Sequence, residues 1–467
     1  MYKMSLLFRT FASLKKKQAL STNMKKATFL LAAILTLATG AKAQNKEWTL
    51  DDCVNYALEH NITLQKARIT SESAKEDVKE ARAALLPSLS ASTNQSVGYR
   101  PWQDNGTTTV TNGMVDTNVK KSYYNGSYGI NAQWNVWDGN KLRNTLKSKK
   151  LTAEQAELEA QASANSIEEE IAQLYIQILY LREAVKVNEQ SLETSKKNEE
   201  RGQQMLEVGK MSKADVAQLT AQRTTDEYNI VQARANIIKY KTQLRQLLEL
   251  DGTADFDVAT TPVSDEQALG SFPSTQAVYE QALLTRPEIA SMEVGVKNSE
   301  LNVKIAKAGY SPTLNLTGGV GTSSNSQSNK AWGNQMRSNF DASAGLTLSI
   351  PIYDKRQAKT AVRKARLQRQ QAELSLQNTR DDLYKTIENY WLDAETNQQK
   401  LRAAIATEKS EQESYNLLQE QFNLGLKNIV ELMTGKDKLL TAQQNRLQSK
   451  YQALLAQQML KFYQGKQ

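Results

Sequence analysis

The chain is poor in the residues that build most catalytic and metal sites. Its 467 residues hold one cysteine, Cys53, and one histidine, His60. A lone cysteine closes no disulfide within the chain and builds no thiolate cluster, and a lone histidine leaves no Cys/His pair and no His-based ligand set. His60 directly precedes Asn61, where a helix break is expected, so a solvated or capping role is its plain reading. Cys53 reads as a small core residue of the first helix. Proline is scarce too, seven in all, while Gln, Ala, Lys, Glu and Leu are abundant, a balance that favours long helices with narrow buried seams. No apolar run beyond residue 43 approaches the roughly 18 to 20 residues of a membrane-spanning helix, so insertion into a bilayer would fall to strands. Gly318-Gly319-Val320-Gly321 lies within a strand rather than between a strand and a helix, which excludes a phosphate loop. No catalytic residue, cofactor or metal is expected, and so no enzyme.

The N-terminus reads as an export signal. Lys25 and Lys26 lead into the apolar run from Ala27 to Ala38, and Ala41-Lys42-Ala43 supplies small-x-small cleavage chemistry, so cleavage is expected near Ala43. Residues 1–23 precede a complete signal and are read as an upstream start, with a long n-region as the alternative. Residues 1–43 carry eight basic side chains and no acidic one, so the formal charge of +9 falls to about +1 without them. A nearly neutral chain with 50 acidic residues offers no electrostatic footprint for nucleic acid.

The rest is a duplication. A shift of 225 carries Ala57, Leu58, Lys79, Ala81, Pro87 and Leu89 onto Ala282, Leu283, Lys304, Ala306, Pro312 and Leu314. A shift of 216 carries Asp138, Ile171, Gly209, Gln232 and Leu244 onto Asp354, Ile387, Gly425, Gln448 and Leu460. The organisation expected is a first repeat over 44–249, with a β-hairpin at about 87–137 and a long helical hairpin at about 138–249. A linking segment follows at 250–271, then a second repeat over 272–467 with its β-hairpin at about 312–353 and helical hairpin at about 354–464. Ile167, Ile171, Leu174, Ile178, Leu181 and Val185 follow the four-three alternation of a coiled-coil seam, and Leu383, Ile387, Tyr390 and Ala394 repeat it.

Four segments alternate with period two. In Tyr124–Val136 the even positions run Tyr124, Tyr128, Ile130, Ala132, Trp134 and Val136 against Asn125, Ser127, Asn131, Gln133 and Asn135. Phe340–Ile350 and Leu314–Val320 alternate in the same way, and Leu89–Asn94 more weakly. Each strand alone would also fit a soluble antiparallel sheet with one face on a core; with an export signal, and with Trp134, Trp137 and Tyr353 at one end as interface aromatics, the four together are expected to be barrel strands with lipid on one face and water on the other. Four strands close no barrel, so copies of the chain must associate.

The order of these parts resembles the TolC family of outer-membrane ducts over residues 48–464. The likeness is carried by the doubled opening helices ending in Leu86-Pro87-Ser88-Leu89 and Ser311-Pro312-Thr313-Leu314, and by the strand exits Val136-Trp137-Asp138-Gly139 and Ile350-Pro351-Ile352-Tyr353-Asp354. The turns Leu206-Glu207-Val208-Gly209-Lys210 and Phe422-Asn423-Leu424-Gly425-Leu426 complete it. The resemblance implies a mainly α fold with a β-barrel part, in which each protomer of a homotrimer gives four antiparallel strands to a shared 12-stranded outer-membrane barrel and long coiled-coil hairpins to a periplasmic α-barrel. It further implies an exit duct for a tripartite efflux or type I secretion system, with a periplasmic adaptor docking on turns Val208, Gly209, Lys210, Leu424, Gly425 and Leu426, and an inner-membrane pump of the RND or ABC type. Glu431 and Asp215 match the acidic ring of the family's periplasmic gate, while Thr434 stands where relatives can hold a second acid. A periplasmic coiled-coil adaptor or scaffold without a barrel is the alternative, one that has no need of four alternating strands.

Overall fold

The computed structural model describes residues 47–102, 106–110, 113–117, 120–251, 256–260 and 262–465. The expected signal and its cleavage near Ala43 lie outside the described residues.

Local chemistry punctuates the chain. Thr49 and Asp52 form a capping box that starts α1 (Leu50–His60). The helix stops at Asn61, whose side chain accepts the Leu64 N–H at 3.1 Å and so starts α2 (Ile62–Ala83). Pro87 precedes β2 (Ser88–Tyr99), and the antiparallel return is β5 (Ser122–Trp137). The intervening polar loop carries its own hairpin, β3 (Gly106–Val110) and β4 (Gly113–Thr117). Then come α3 (Lys141–Glu207), of 67 residues, and its return helix α4 (Lys213–Leu247), of 35. The 67 residues of α3 extend on the order of 100 Å at about 1.5 Å per residue.

After a segment containing β6 (Asp257–Val258) and α5 (Asp265–Ala268), the series repeats: α6 (Thr275–Thr285), α7 (Pro287–Lys307), β7 (Thr313–Asn325), a loop with the short α8 (Trp332–Ser338), β8 (Asp341–Ser349), α9 (Gln357–Asn423) and α10 (Ile429–Tyr463). The ends of α3 and α4 map onto those of α9 and α10 at the shift of 216, and α1 maps onto α6 at 225.

The four main strands form one antiparallel sheet in the order β2-β5-β7-β8. Four helices continue it in matching order, α2 against α3, α3 against α7 and α7 against α9. The wall is thus one layer thick, and its buried apolar clusters gather away from the strands, two of them at the short helices. In the first core Cys53, Ala57 and Leu64 pack with Ile167, Ile171 and Leu244; in the second Val278, Ala282 and Ile289 pack with Leu383, Ile387 and Leu460. These are the same positions under the two shifts, so one packing solution serves twice.

Each core is locked at its helix break. Asn61 Nδ2 donates to the Leu247 carbonyl at 2.9 Å, and Arg286, at the second break, donates to the Phe462 carbonyl at 2.6 Å while its guanidinium lies over the Phe462 and Tyr463 rings. A short parallel pairing ties the linking segment to the first repeat: β1 (Glu47–Trp48) lies beside β6, and Arg182 of α3 binds both the Val258 carbonyl, at 2.8 Å, and Asp257.

Ile171 and Ile387 are fully buried at equivalent positions. Ile171→Ala and Ile387→Ala should each lose about 2 to 5 kcal/mol in denaturant unfolding. Losses under about 1 kcal/mol for both would contradict the shared-core account.

Candidate functional site

Strand register puts the apolar side chains of four segments on one surface. Trp134 pairs with Leu316, which pairs with Leu346; Ile130 pairs with Val320, which pairs with Ala342; Ala91 pairs with Ile130. The opposite surface carries Asn131, Gln133, Thr317, Ser343 and Thr347. Leu89, Leu346, Leu348 and Ile350 are exposed, so the apolar surface has no cover within the protomer. Among the described residues β2 and β8 each keep one edge without a strand partner.

The aromatics at the strand ends are placed by a feature that strict alternation misses. Register shifts between Asn135 and Trp137, so Trp134 stands opposite Leu316 and Trp137 opposite Leu314. The bulge at Val136 turns Trp137 onto the apolar surface, where period-two counting puts it on the polar one. The Trp134 indole N–H donates to the Leu85 carbonyl at 3.0 Å, tying this surface to the helix–strand junction. Tyr353 lies beyond β8 and is largely exposed. No helix among the described residues is long and apolar enough to cross a membrane.

At the far end of the helices the two turns are alike. Gly209 and Gly425 have φ of 74° and 77°, which favours glycine. Lys210 N–H donates to the Met205 carbonyl at 2.8 Å and Gly209 N–H to Leu206 at 3.0 Å; Leu426 and Gly425 repeat this with Gln421 and Phe422, both at 2.9 Å. Nothing lies within 4 Å of where a Cβ on either glycine would sit, so the constraint there is backbone conformation and not space. Val208, Lys210, Leu424 and Leu426 project into solvent.

The acids after these turns are helix caps. Asp215 forms a capping box with Ser212, and Glu431 forms one with Asn428. Glu431 also binds Lys427 at 2.6 Å, and that hydrogen bond, with the Asn428 backbone N–H, holds its carboxyl below the usual range. Glu431 is therefore a charge with a resident counter-charge. The Thr434 hydroxyl donates to the Val430 carbonyl within its own helix at 2.8 Å.

Two turns into α10 lies a site that was not anticipated. Lys436 is 5 % exposed and Asp226 2 %, and they form an ion pair. Ser195 on α3 donates to Asp226 at 2.5 Å and accepts from Lys436. Gln222 spans from Asp226, at 3.4 Å, to Asp437, at 3.3 Å. Burial raises the Asp437 carboxyl above its usual value, with Lys436 opposing and Asp226 assisting. Asn198 donates to the Tyr415 hydroxyl at 3.3 Å, and Arg223 binds Glu199 and Glu227, both at 2.7 Å. The network joins the first helical hairpin to the second. Its sequence signal was present: Lys436 stands between Leu432 and Leu439, and Asp226 between Leu219 and Ile230, as charges on apolar seams.

His60 stacks on Tyr56 at 4.0 Å with Nδ1 3.0 Å from the Tyr56 carbonyl, on an exposed helix end. Cys53 is fully buried in the first core. Among the described residues no group of three or more His, Cys, Asp or Glu is placed to hold a metal ion.

The family model for the outer membrane efflux protein matches residues 53–249 and again 278–466. The outer membrane efflux protein BepC of Brucella suis is 25% identical over 433 residues, covering 91% of this chain and 87% of that protein. The outer membrane protein TolC of Escherichia coli is 22% identical over 408 residues, covering 86% and 79%. Among solved structures, the Campylobacter jejuni CmeC outer membrane channel superposes with a TM-score of 0.74 at 19% identity, covering 89% of this chain and 85% of that one.

Removing one partner of the buried pair leaves the other charged and dry. Asp226→Asn or Lys436→Met alone should lose about 3 to 5 kcal/mol in denaturant unfolding, and the double change Asp226→Leu with Lys436→Met should recover most of it. A double variant no better than the worse single one would contradict this.

Proposed function

The chain belongs to the outer membrane efflux protein family, and from that premise we propose how it works. It is an exit duct in the outer membrane with a large periplasmic part, serving a pump and adaptor assembly. Its role is transport, carried by geometry and electrostatics. The observation that carries the reading is the four-stranded sheet with one apolar surface and two open edges, continued by a one-layer helical wall.

Three copies would supply three times four strands and close a 12-stranded barrel, with β2 of one copy beside β8 of the next. The apolar surface then meets outer-membrane lipid, with Trp134, Trp137 and Tyr353 at its periplasmic boundary. The helices α2, α3, α7 and α9 prolong the wall through the periplasm. The turns at Val208, Gly209 and Lys210, and at Leu424, Gly425 and Leu426, form the notch for a periplasmic adaptor, itself coupled to an inner-membrane pump of the RND or ABC type. Their exposed apolar side chains and glycine-fixed backbone support this assignment.

The tips converge to a gate in which Glu431 and Asp215 set the charge. Because Lys427 accompanies each Glu431, the ring carries less repulsion than bare carboxylates would. The seam through Ser195, Asp226 and Lys436 holds the two hairpins of a protomer together while the gate is closed.

Photocrosslinkers at Val208 or Leu424 should capture the adaptor, and capture only from distant helical faces would contradict the docking turns. The depressed Glu431 carboxyl stays charged until the pH falls through its lowered value, so conductance in planar bilayers should be flat through the ordinary glutamate range. Lys427→Gln should move the acid-induced change to higher pH; identical profiles would remove Glu431 from the gate.

A further inference from the structure

The helix ends nearest the sheet carry a second repeated feature that neither the cores nor the tips explain. Arg143, Lys147 and Lys150 on α3 map at the shift of 216 onto Lys359, Arg363 and Arg366 on α9. Within each helix the spacing is four and then three, so each trio shares one helical face, and all six are exposed. On the helices that pack beside them, Arg82 near the end of α2 maps at 225 onto Lys307 at the end of α7. None of these eight forms an ion pair among the described residues. The two nearby acids at the helix starts are occupied: Asp138 accepts from Leu142 N–H at 2.9 Å and Asp354 from Ala358 N–H at 2.7 Å.

In the second repeat the cations line a cleft. It measures about 710 Å³ and is walled by Lys307, Lys359, Arg363 and Arg366, with Tyr310, Val362 and Leu367 as its remaining lining and no acid among them. A pocket of cations mixed with apolar surface suits an amphiphile with an anionic head. Like charges crowded at one level of a wall repel, and the repulsion is relieved when an anionic layer lies beside them. That level adjoins the strand ends. Tyr310 maps at 225 onto Leu85, whose carbonyl receives the Trp134 indole from the apolar surface of the sheet. The cleft therefore opens at the boundary where that surface ends.

We propose that this basic belt is a docking surface for anionic phospholipid headgroups of the periplasmic leaflet, with the Lys307–Lys359–Arg363–Arg366 cleft as its best-formed seat. The belt fixes the depth of the duct in the membrane, as cations flanking a hydrophobic segment do elsewhere. The proposal rests on the membrane-facing sheet described under the proposed function, and the experiment separates the two. Native mass spectrometry of the detergent-extracted protein, supplied with phosphatidylglycerol or with phosphatidylcholine, reads the retained lipid directly.

Retention of phosphatidylglycerol should exceed that of phosphatidylcholine, and should fall on the order of tenfold in the combined variant Lys359→Gln, Arg363→Gln, Arg366→Gln. The distant control Lys196→Gln with Lys197→Gln should retain it. Equal retention of the two lipids, or retention unmoved by the belt variant, overturns the proposal. So does a belt variant that alters the ion selectivity of the channel in neutral bilayers with lipid retention unchanged, since that puts the cations in the lumen. Channel conductance in neutral lipid without selective retention sinks the belt alone, whereas absence of any channel sinks the duct itself.

Discussion

A β-strand edge in hydrocarbon is the constraint on which the rest of this molecule depends. Each unpaired peptide group costs several kcal/mol where there is no water to satisfy it. The sheet has an apolar surface but only four strands, with β2 and β8 open on one side each. Such a surface cannot stay in water and such edges cannot stay in lipid. The association of identical copies proposed above would resolve both, by presenting β2 of the next copy where β8 needs a neighbour. The helices inherit this arrangement, since α2, α3, α7 and α9 leave the strands in the same lateral order. A wall one layer thick has no interior of its own, which is why the buried apolar clusters lie at the short helices and at the tips.

Duplication makes the wall regular, and the departures from it mark where the protomer is specialised. Leu64 and Ile289 are equivalent, as are Ile171 and Ile387, although the first core extends further, to Phe256, Val258 and Tyr451. The breaks differ more: Asn61 and Arg286 perform the same act, reaching a carbonyl at the end of a return helix, with an amide in one repeat and a stacked guanidinium in the other. Two turns inside the tips the symmetry fails. Lys436 is equivalent to Thr220, and Asp226 to Ala442, so the buried ion pair exists once per protomer, between unlike hairpins. A seam made of charge is less forgiving than one made of leucine, because its geometry must be complete to offset desolvation.

Much of the fold was legible because long periodic patterns average out local noise. The seam from Ile167 to Val185, the alternation from Tyr124 to Trp134, and the prolines at 87, 312 and 351 each fix an element by repetition or by a backbone that allows few alternatives. The turns at Gly209 and Gly425 were legible from their doubling at the shift of 216. What escaped was short or relational. The pairing of Trp48 with Val258 involves two-residue strands with no period to detect. The bulge at Val136 is hidden because an apolar residue continues the alternation it interrupts. The β3–β4 hairpin sits in a segment whose composition reads only as a polar loop. The lysine at 436 announced itself by its seam position, but its partners come from two other helices and no spacing names them.

The most direct measurement is electron cryo-microscopy of the detergent-extracted protein. The account predicts a three-fold symmetric particle in which β2 of each copy is hydrogen-bonded to β8 of the next around a continuous wall. A folded monomer with both strand edges uncovered, or an assembly joined elsewhere with no central channel, would contradict it.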